Sequence, residues 1–89
     1  MKAIITVIGK DTVGILAKVS AACAADNANI VEVTQSVLQD MFAMVMLIEF
    51  NEEKIDFEKL RTDLDAVGAA TATKIHVMHE DIFNSMHRI

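Results

Sequence analysis

The spacing of hydrophobic positions changes several times along the chain, and each change marks a predicted element of secondary structure. Residues 2–9 and 41–50 are apolar on both faces, which is typical of central strands in a sheet. Residues 30–38 alternate between apolar and polar positions and predict a half-buried strand at a sheet edge. Residues 73–79 form the last predicted strand.

Two segments between these strands carry apolar residues at spacings of three and four, which predicts amphipathic helices. The first spans residues 13–26, with Asp11 or Thr12 as its N-cap. The second begins after Asp56, which is also a predicted N-cap, and ends at Gly68. Each helix therefore needs an apolar surface to pack against.

The order of the elements predicts the fold. Strand, helix, strand, strand, helix, strand is the βαββαβ pattern of an α+β, ferredoxin-like sandwich, in which the first and third strands are central. Right-handed crossovers place both helices on one face of the four-stranded antiparallel sheet. Residues 80–89 predict a short C-terminal helical tail. The other face of the sheet also carries apolar side chains, which either the tail or a second subunit could cover.

Length and composition narrow the functional classes. The 89 residues suffice for one domain, and their hydrophobic content of 53% is high for a small monomer, which predicts that a second copy covers part of the surface. Eight basic and 13 acidic residues give a net charge of −5, which argues against a nucleic-acid partner. No apolar run approaches the roughly 20 residues of a membrane span. With no evident signal peptide and Cys23 as the single cysteine, we expect a cytoplasmic protein.

The sequence carries no pattern typical of catalysis or of cofactor binding. No serine or cysteine nucleophile has a base at motif spacing, and no phosphate-binding loop is present. A soft-metal carrier of this fold needs a Cys-x-x-Cys pair in the loop after the first strand, where this chain has no cysteine. His76 and His79 are three residues apart on a strand, so they are predicted to point to opposite faces. We therefore expect no enzyme activity, no cofactor and no metal site.

The loop after the first strand carries the most specific signal. The stretch VIGKDTVGILAKVS at residues 7–20, followed by NANIVEVTQ at residues 27–35, resembles the ACT domain, the regulatory module of many amino-acid biosynthetic enzymes. The tail FNSMHRI at residues 83–89 is similar to the C-terminal signature of a small stand-alone single-ACT family, related to the glycine cleavage system repressor group. The resemblance covers essentially the whole chain and implies an ACT domain over residues 1–79 with an extension over residues 80–89.

The resemblance also implies a binding site. In ACT domains a ligand, commonly an amino acid, lies where the loop after the first strand meets the second strand of a neighbouring subunit. Carried over to this chain, the expected ligand-binding residues are Asp11, Val13, Gly14, Ile15 and Leu16 on one side and Asn29 and Ile30 on the other, with Gln35 facing the pocket or the dimer seam. Unpaired N–H groups at a helix start suit a carboxylate, and a glycine permits close approach.

Several of these residues also have simpler structural interpretations. Asp11 is a good N-cap, Gly14 suits close packing, Asn29 suits a turn, and Gln35 could be a hydrogen-bonded, partly buried amide. We expect a homodimeric regulatory domain that binds a small ligand, with an unknown protein target. The alternative is a protein–protein interaction module that has no physiological small ligand. Edge-to-edge pairing of the second strands and face-to-face packing of the sheets both fit the pattern.

Overall fold

The protein is described by a computed structural model that covers residues 2–10, 13–50 and 56–81. Its elements are β1 (Lys2–Lys10), α1 (Ile15–Ala25), β2 (Ala28–Leu38), β3 (Met41–Phe50), α2 (Phe57–Thr71) and β4 (Thr73–His79). This order confirms the predicted βαββαβ, α+β fold. The predicted helical tail lies outside the described residues from residue 82 onward, and the domain boundary at residue 79 stays a prediction.

The four strands form one antiparallel sheet in the order β2-β3-β1-β4. The central positions of β1 and β3 confirm the prediction from their apolar faces. Ile5 on β1 lies opposite Met46 on β3 and Val77 on β4, and all three are buried. The hairpin between β2 and β3 turns in two residues, and Gln39 takes the left-handed conformation there, with φ 59°.

Both helices pack on one face of the sheet and enclose a single core. The strand residues on that face alternate with residues that are exposed or half-buried, except Ile4, which is 7% exposed although it lies on the opposite face. The buried apolar positions of the core are Ala3, Ile5 and Val7 on β1, Phe42, Met44, Met46, Ile48 and Phe50 on β3, Ile15, Val19 and Cys23 on α1, Leu60 and Leu64 on α2, Ile75 and Val77 on β4, and Ala28 on β2. Full burial of each large side chain contributes about 1.5–3 kcal/mol, so this one layer dominates the stability.

At α2, the prediction for the start of the helix is confirmed and the prediction for its end is wrong. The backbone N–H of Lys59 donates to Asp56 Oδ1 at 2.9 Å, which confirms the predicted N-cap. The prediction that Gly68 ends the helix is wrong, because α2 continues to Thr71 and Ala72 takes the left-handed cap conformation, with φ 56°. Gly68 is instead buried inside the helix, where a Cβ atom would lie 2.8 Å from the carbonyl oxygen of Thr73. Its small size serves close packing of α2 on β4.

The start of α1 differs from the prediction in a similar way. The helix begins at Ile15, and its N-cap is Gly14 with φ 89° and ψ 7°, so the predicted cap at Asp11 or Thr12 is wrong. A left-handed φ is freely available only to glycine, so the turn is completed at Gly14 and not earlier. Asp11 and Thr12 themselves lie outside the described residues.

Strand β2 is at the sheet edge as predicted, but it is not half-buried. Only Ala28 is buried, and residues 29–38 are all exposed. A bulge at Val31 shifts the register, so Ile30 is opposite Ile48 while Glu32 is opposite Leu47. The predicted alternation is therefore broken at Val31, and nothing in the described part of the chain covers the rest of the strand.

The end of α1 is joined to the start of α2 by a small charged cluster. Lys59 Nζ lies 2.5 Å from Asp26 Oδ1 and 2.9 Å from Asp63 Oδ2. The hydrogen bond to Asp26 and, secondarily, the one to Asp63 raise the pKa of Lys59. The hydrogen bond from Lys59 in turn lowers the pKa of Asp63. The side chain of Asp26 is 7% exposed, and its Oδ2 has no hydrogen-bond partner among the described residues. The cluster thus pairs the nearly buried carboxylate of Asp26 with the ammonium group of Lys59.

Cys23 lies in the core beside this cluster, and its chemistry gives a pH prediction. Burial, and secondarily the charge of Asp26, raises the pKa of its thiol from 9.0 to about 11. The folded state therefore holds the thiol proton more tightly than the unfolded state does. The resulting stabilisation should be complete below pH 9 and lost as the pH rises towards about 11. Urea denaturation along a pH series checks this.

The matched variant for this prediction is Cys23→Ala, which removes the titrating group and leaves the neighbouring charges in place. It should flatten the alkaline loss of stability, and equal pH profiles for both proteins would contradict the assignment to Cys23. Alkylation of the native protein at neutral pH should also be slow, because the thiolate is the reactive form.

Candidate functional site

The N-terminal end of α1 is the better defined half of the predicted site. Gly14 carries no side chain, and a Cβ atom built there would meet nothing within 4 Å. Among the described residues no side chain caps the helix, and Lys18 N donates to the carbonyl oxygen of Gly14 at 3.0 Å to begin the helical pattern. The first N–H groups of α1 thus have no side-chain acceptor in the described part of the chain, and the N-terminus of a helix favours an anion.

The neighbouring side chains around this helix start are mostly apolar. Val13 is fully exposed and Leu16 is 37% exposed, whereas Ile15 is buried in the core. Ile15 thus anchors the helix and is unable to offer its side chain to a ligand. Val13 and Leu16 remain as an exposed apolar border beside these N–H groups. Asp11, the predicted partner for an ammonium group, lies outside the described residues.

The second half of the predicted site lies at the other end of the sheet. Asn29 and Ile30 are exposed at the start of β2, where Ile30 is opposite Ile48 on β3. The loop that leads to α1 follows Lys10, which is opposite Met41. Ile48 and Met41 are seven residues apart on one strand, or about 23 Å at the usual rise. A single chain therefore does not bring the two halves together.

Gln35 lies between these two ends on the exposed edge strand. It is opposite Met44, whose side chain is buried in the core, so Gln35 belongs to the helix-covered face of the sheet. Gln35 itself is exposed, so the interpretation as a partly buried amide is wrong for the single chain. Its position leaves it available to a neighbouring chain along β2.

Two grooves among the described residues do not coincide with the predicted site. One of 610 Å³ lies between α2 and the edge of β4, and another of 520 Å³ lies near the end of β1. None of the predicted ligand-binding residues lines either groove. In the first groove Arg61 is already paired with Glu58 at 3.1 Å, and Asp65 offsets Lys74, so no excess charge marks it for an ion.

The described residues contain neither a cluster of metal ligands nor a helix suited to cross a membrane. Within residues 2–10, 13–50 and 56–81, no three histidine, cysteine or acidic side chains converge on a point where a metal ion could bind. His76 is opposite Thr6 and His79 is opposite Ala3, which confirms that the two histidines face opposite sides of the sheet. Across the same part of the chain, no helix combines the length and the apolar character of a membrane span.

The chain is similar to a known domain family, to relatives in other organisms and to solved structures. The family model for the ACT domain matches residues 2–78. A UPF0237 protein of Clostridium acetobutylicum is 45% identical over 89 residues, which cover all of both chains. The solved structure of an ACT domain protein from Streptococcus pneumoniae is 41% identical, with a TM-score of 0.81 and coverage of 93% of each chain. The structure of a putative glycine cleavage system transcriptional repressor, 21% identical, shares the fold with a TM-score of 0.73 over 86% of this chain and 44% of that one.

Proposed function

Because the chain belongs to the ACT domain family, we propose that it is a regulatory domain that binds an amino acid at the seam between two identical chains. The observation that carries the proposal is the separation of the two halves of the predicted site within one chain. The role involves no chemical step, and binding would act by changing the association of the chains or the activity of a protein target. We place this role in the cytoplasm, where an unpaired Cys23 stays reduced.

The exposed edge of β2 supports an antiparallel pair. An edge strand presents unpaired N–H and C=O groups to which another strand can pair, and β2 offers 11 residues whose one neighbour among the four described strands is β3. If all of β2 pairs with β2 of a second copy, Val33 lies at the two-fold axis. Asn29 and Ile30 of the second copy then lie beside the end of β2 at Leu38, where α1 of the first copy begins.

The proposed pair has two such sites, and each would combine the start of α1 from one copy with β2 residues from the other. The N–H groups at the start of α1 suit the carboxylate of an amino acid, and the absence of a side chain at Gly14 allows close approach. Asn29 of the second copy can both donate and accept hydrogen bonds. Val13, Leu16 and Ile30 are exposed apolar neighbours for the ligand side chain.

A thermal-shift screen against the common amino acids tests the proposal. A ligand at about a hundred times its dissociation constant should stabilise the native state by about 2.7 kcal/mol, or roughly 10 °C or more for a domain of this size. Gly14→Val should abolish the shift, because valine blocks the helix start and resists the left-handed φ of 89°. Ala24→Val, an exposed position near the far end of α1, is the matched control and should retain the shift.

A second variant tests whether the seam is part of the site. Val33→Lys places two like charges near the proposed two-fold axis, so it should lower both the mass in sedimentation velocity and the ligand-induced shift. A shift that survives both Gly14→Val and Val33→Lys would place the ligand elsewhere. A panel without any hit would favour the alternative, an interaction module that has no small ligand.

A further inference from the structure

The outer edge of β4 runs along a groove. This groove, of 610 Å³, is lined by the five consecutive strand residues 73–77 and by Arg61, Asp65, Gly68 and Ala69 of α2. Successive side chains of a strand point to opposite faces, so a groove that borders five consecutive residues follows the backbone edge of the strand. At the usual rise these residues span about 16 Å, which is enough to hold an extended chain.

The backbone groups on this edge have no partner within the described part of the chain. β4 has β1 as its one neighbour among the four described strands. In an antiparallel pair alternate residues exchange hydrogen bonds with the neighbour, so the remaining N–H and C=O groups of β4 point outward. Among the described residues, no further backbone hydrogen bond reaches Thr73–His79. The edge can therefore pair with another strand.

The charges beside this edge are basic on the sheet face turned away from the helices. Ile8 is opposite Lys74, so Lys10 lies diagonally beside Lys74 on that face. Both lysines are exposed, and neither forms an ion pair with a described residue. His76 is exposed on the same face, two residues further along β4. An added strand with carboxylates on this face would supply the missing counter-charges, whereas a basic strand would be repelled.

We propose that the β4 edge binds an extended, acidic segment of a partner protein, which adds to the sheet as a further strand. The backbone of the segment pairs with the outward groups of β4. Its acidic side chains lie on the face of Lys10 and Lys74, and the side chains that alternate with them enter the groove beside Ala69. A second copy is a poorer occupant, because β4 itself carries no acidic residue to place beside these lysines.

This inference goes beyond the ligand-binding proposal and does not depend on it. β2 and β4 are at opposite edges of the sheet, so the segment and the proposed second copy occupy different edges. Backbone hydrogen bonds and exposed charges each contribute modestly in water, so one short segment should bind with a dissociation constant on the order of 0.1 mM. Such a contact is readily reversible, as a contact with a regulated target needs to be.

A labelled synthetic peptide of seven residues, the length of β4, tests the proposal. The peptide alternates threonine or valine with glutamate, and fluorescence anisotropy measures its affinity for the full chain. We expect saturable binding, with slower amide hydrogen exchange in β4 and unchanged exchange in β2. The same peptide with lysine in place of glutamate should not bind. A third peptide keeps the glutamates but has every backbone nitrogen methylated, and it should lose binding because it has no donors for β4.

A charge reversal in the protein tests the assignment to this edge. Lys74→Glu should weaken the glutamate peptide by about tenfold and should give the lysine peptide a measurable affinity. Lys18→Glu is the matched control, because it makes the same change in net charge at an exposed position of α1 that lines neither groove. It should leave both affinities unchanged.

Four outcomes would overturn the proposal. The first is no saturable binding of the glutamate peptide at millimolar concentration, and the second is protection of β2 instead of β4. The third is equal binding of the methylated peptide, which would show that charge alone holds the segment. The fourth is protection of β4 that rises with protein concentration in the absence of peptide, which would assign the edge to a second copy. None of these results bears on the amino-acid screen, so the two proposals fail separately.

Discussion

Gly68→Val is expected to destabilise the folded domain by about 3 kcal/mol. A Cβ atom at this position would lie 2.8 Å from the carbonyl oxygen of Thr73 and 3.6 Å from the side chain of Ile75. Backbone oxygen does not rotate away as a flexible side chain does, so α2 must move away from β4 to accept the substitution. The two methyl groups of valine add further volume at this close contact. The free energy of unfolding in urea measures the effect.

Ala69→Val is the matched control for this prediction. It lies one residue further along the same helix and is exposed, so it introduces the same side chain without the close contact to β4, at a helix-propensity cost below about 1 kcal/mol. We expect a change within about 0.5–1 kcal/mol. Similar losses for the two variants would contradict the packing role of Gly68.

Leu64→Ala should lower the free energy of unfolding by about 3 kcal/mol. The side chain of Leu64 is 1% exposed and belongs to the layer that joins α2 to the sheet. Its removal loses the transfer free energy of the buried groups and leaves a cavity that a small core closes incompletely. A reduced denaturation midpoint with an unchanged m-value would identify the loss as one of stability and not of compactness.

Leu16→Ala, the corresponding substitution on α1, separates an effect on stability from an effect on ligand binding. Leu16 is 37% exposed, so Leu16→Ala should cost less than about 1 kcal/mol. Its proposed place beside the ligand predicts a weaker ligand-induced shift with nearly unchanged stability. The prediction is wrong if Leu16→Ala destabilises the protein as strongly as Leu64→Ala does.

Much of the fold follows from local pattern, and the exceptions have a common origin. The bounds predicted for β3 and β4 agree with the structure, and Asp56 caps α2 as predicted. These features depend on neighbours within a few residues. Gly68 was misassigned because its contact partner is the carbonyl of Thr73, across the helix–sheet interface, and a glycine near a helix end looks the same in sequence whichever role it has.

For the candidate site, too, the residues of one segment can be predicted from sequence, whereas the relation between distant segments cannot. The glycine and the apolar residues around the start of α1 stand in one short segment, so the motif alone is enough to propose them as ligand-binding residues. Their relation to Asn29 and Ile30 is different, because the two segments lie at opposite ends of the sheet in one chain. The resemblance to ACT domains implied a contribution from a neighbouring subunit, and the distance along β3 gives that implication a geometric reason.

The order and type of the elements and the central positions of β1 and β3 follow from the sequence alone. Hydrophobic period and turn chemistry act over a few residues, so they can be read without a fold. Three features are visible only in the folded chain: the exposure of β2 beyond Ala28, the bulge at Val31 that breaks its alternation, and the packing contact of Gly68. Each of these depends on which surfaces meet across the sheet, and burial is a property of that assembled arrangement and not of any one segment.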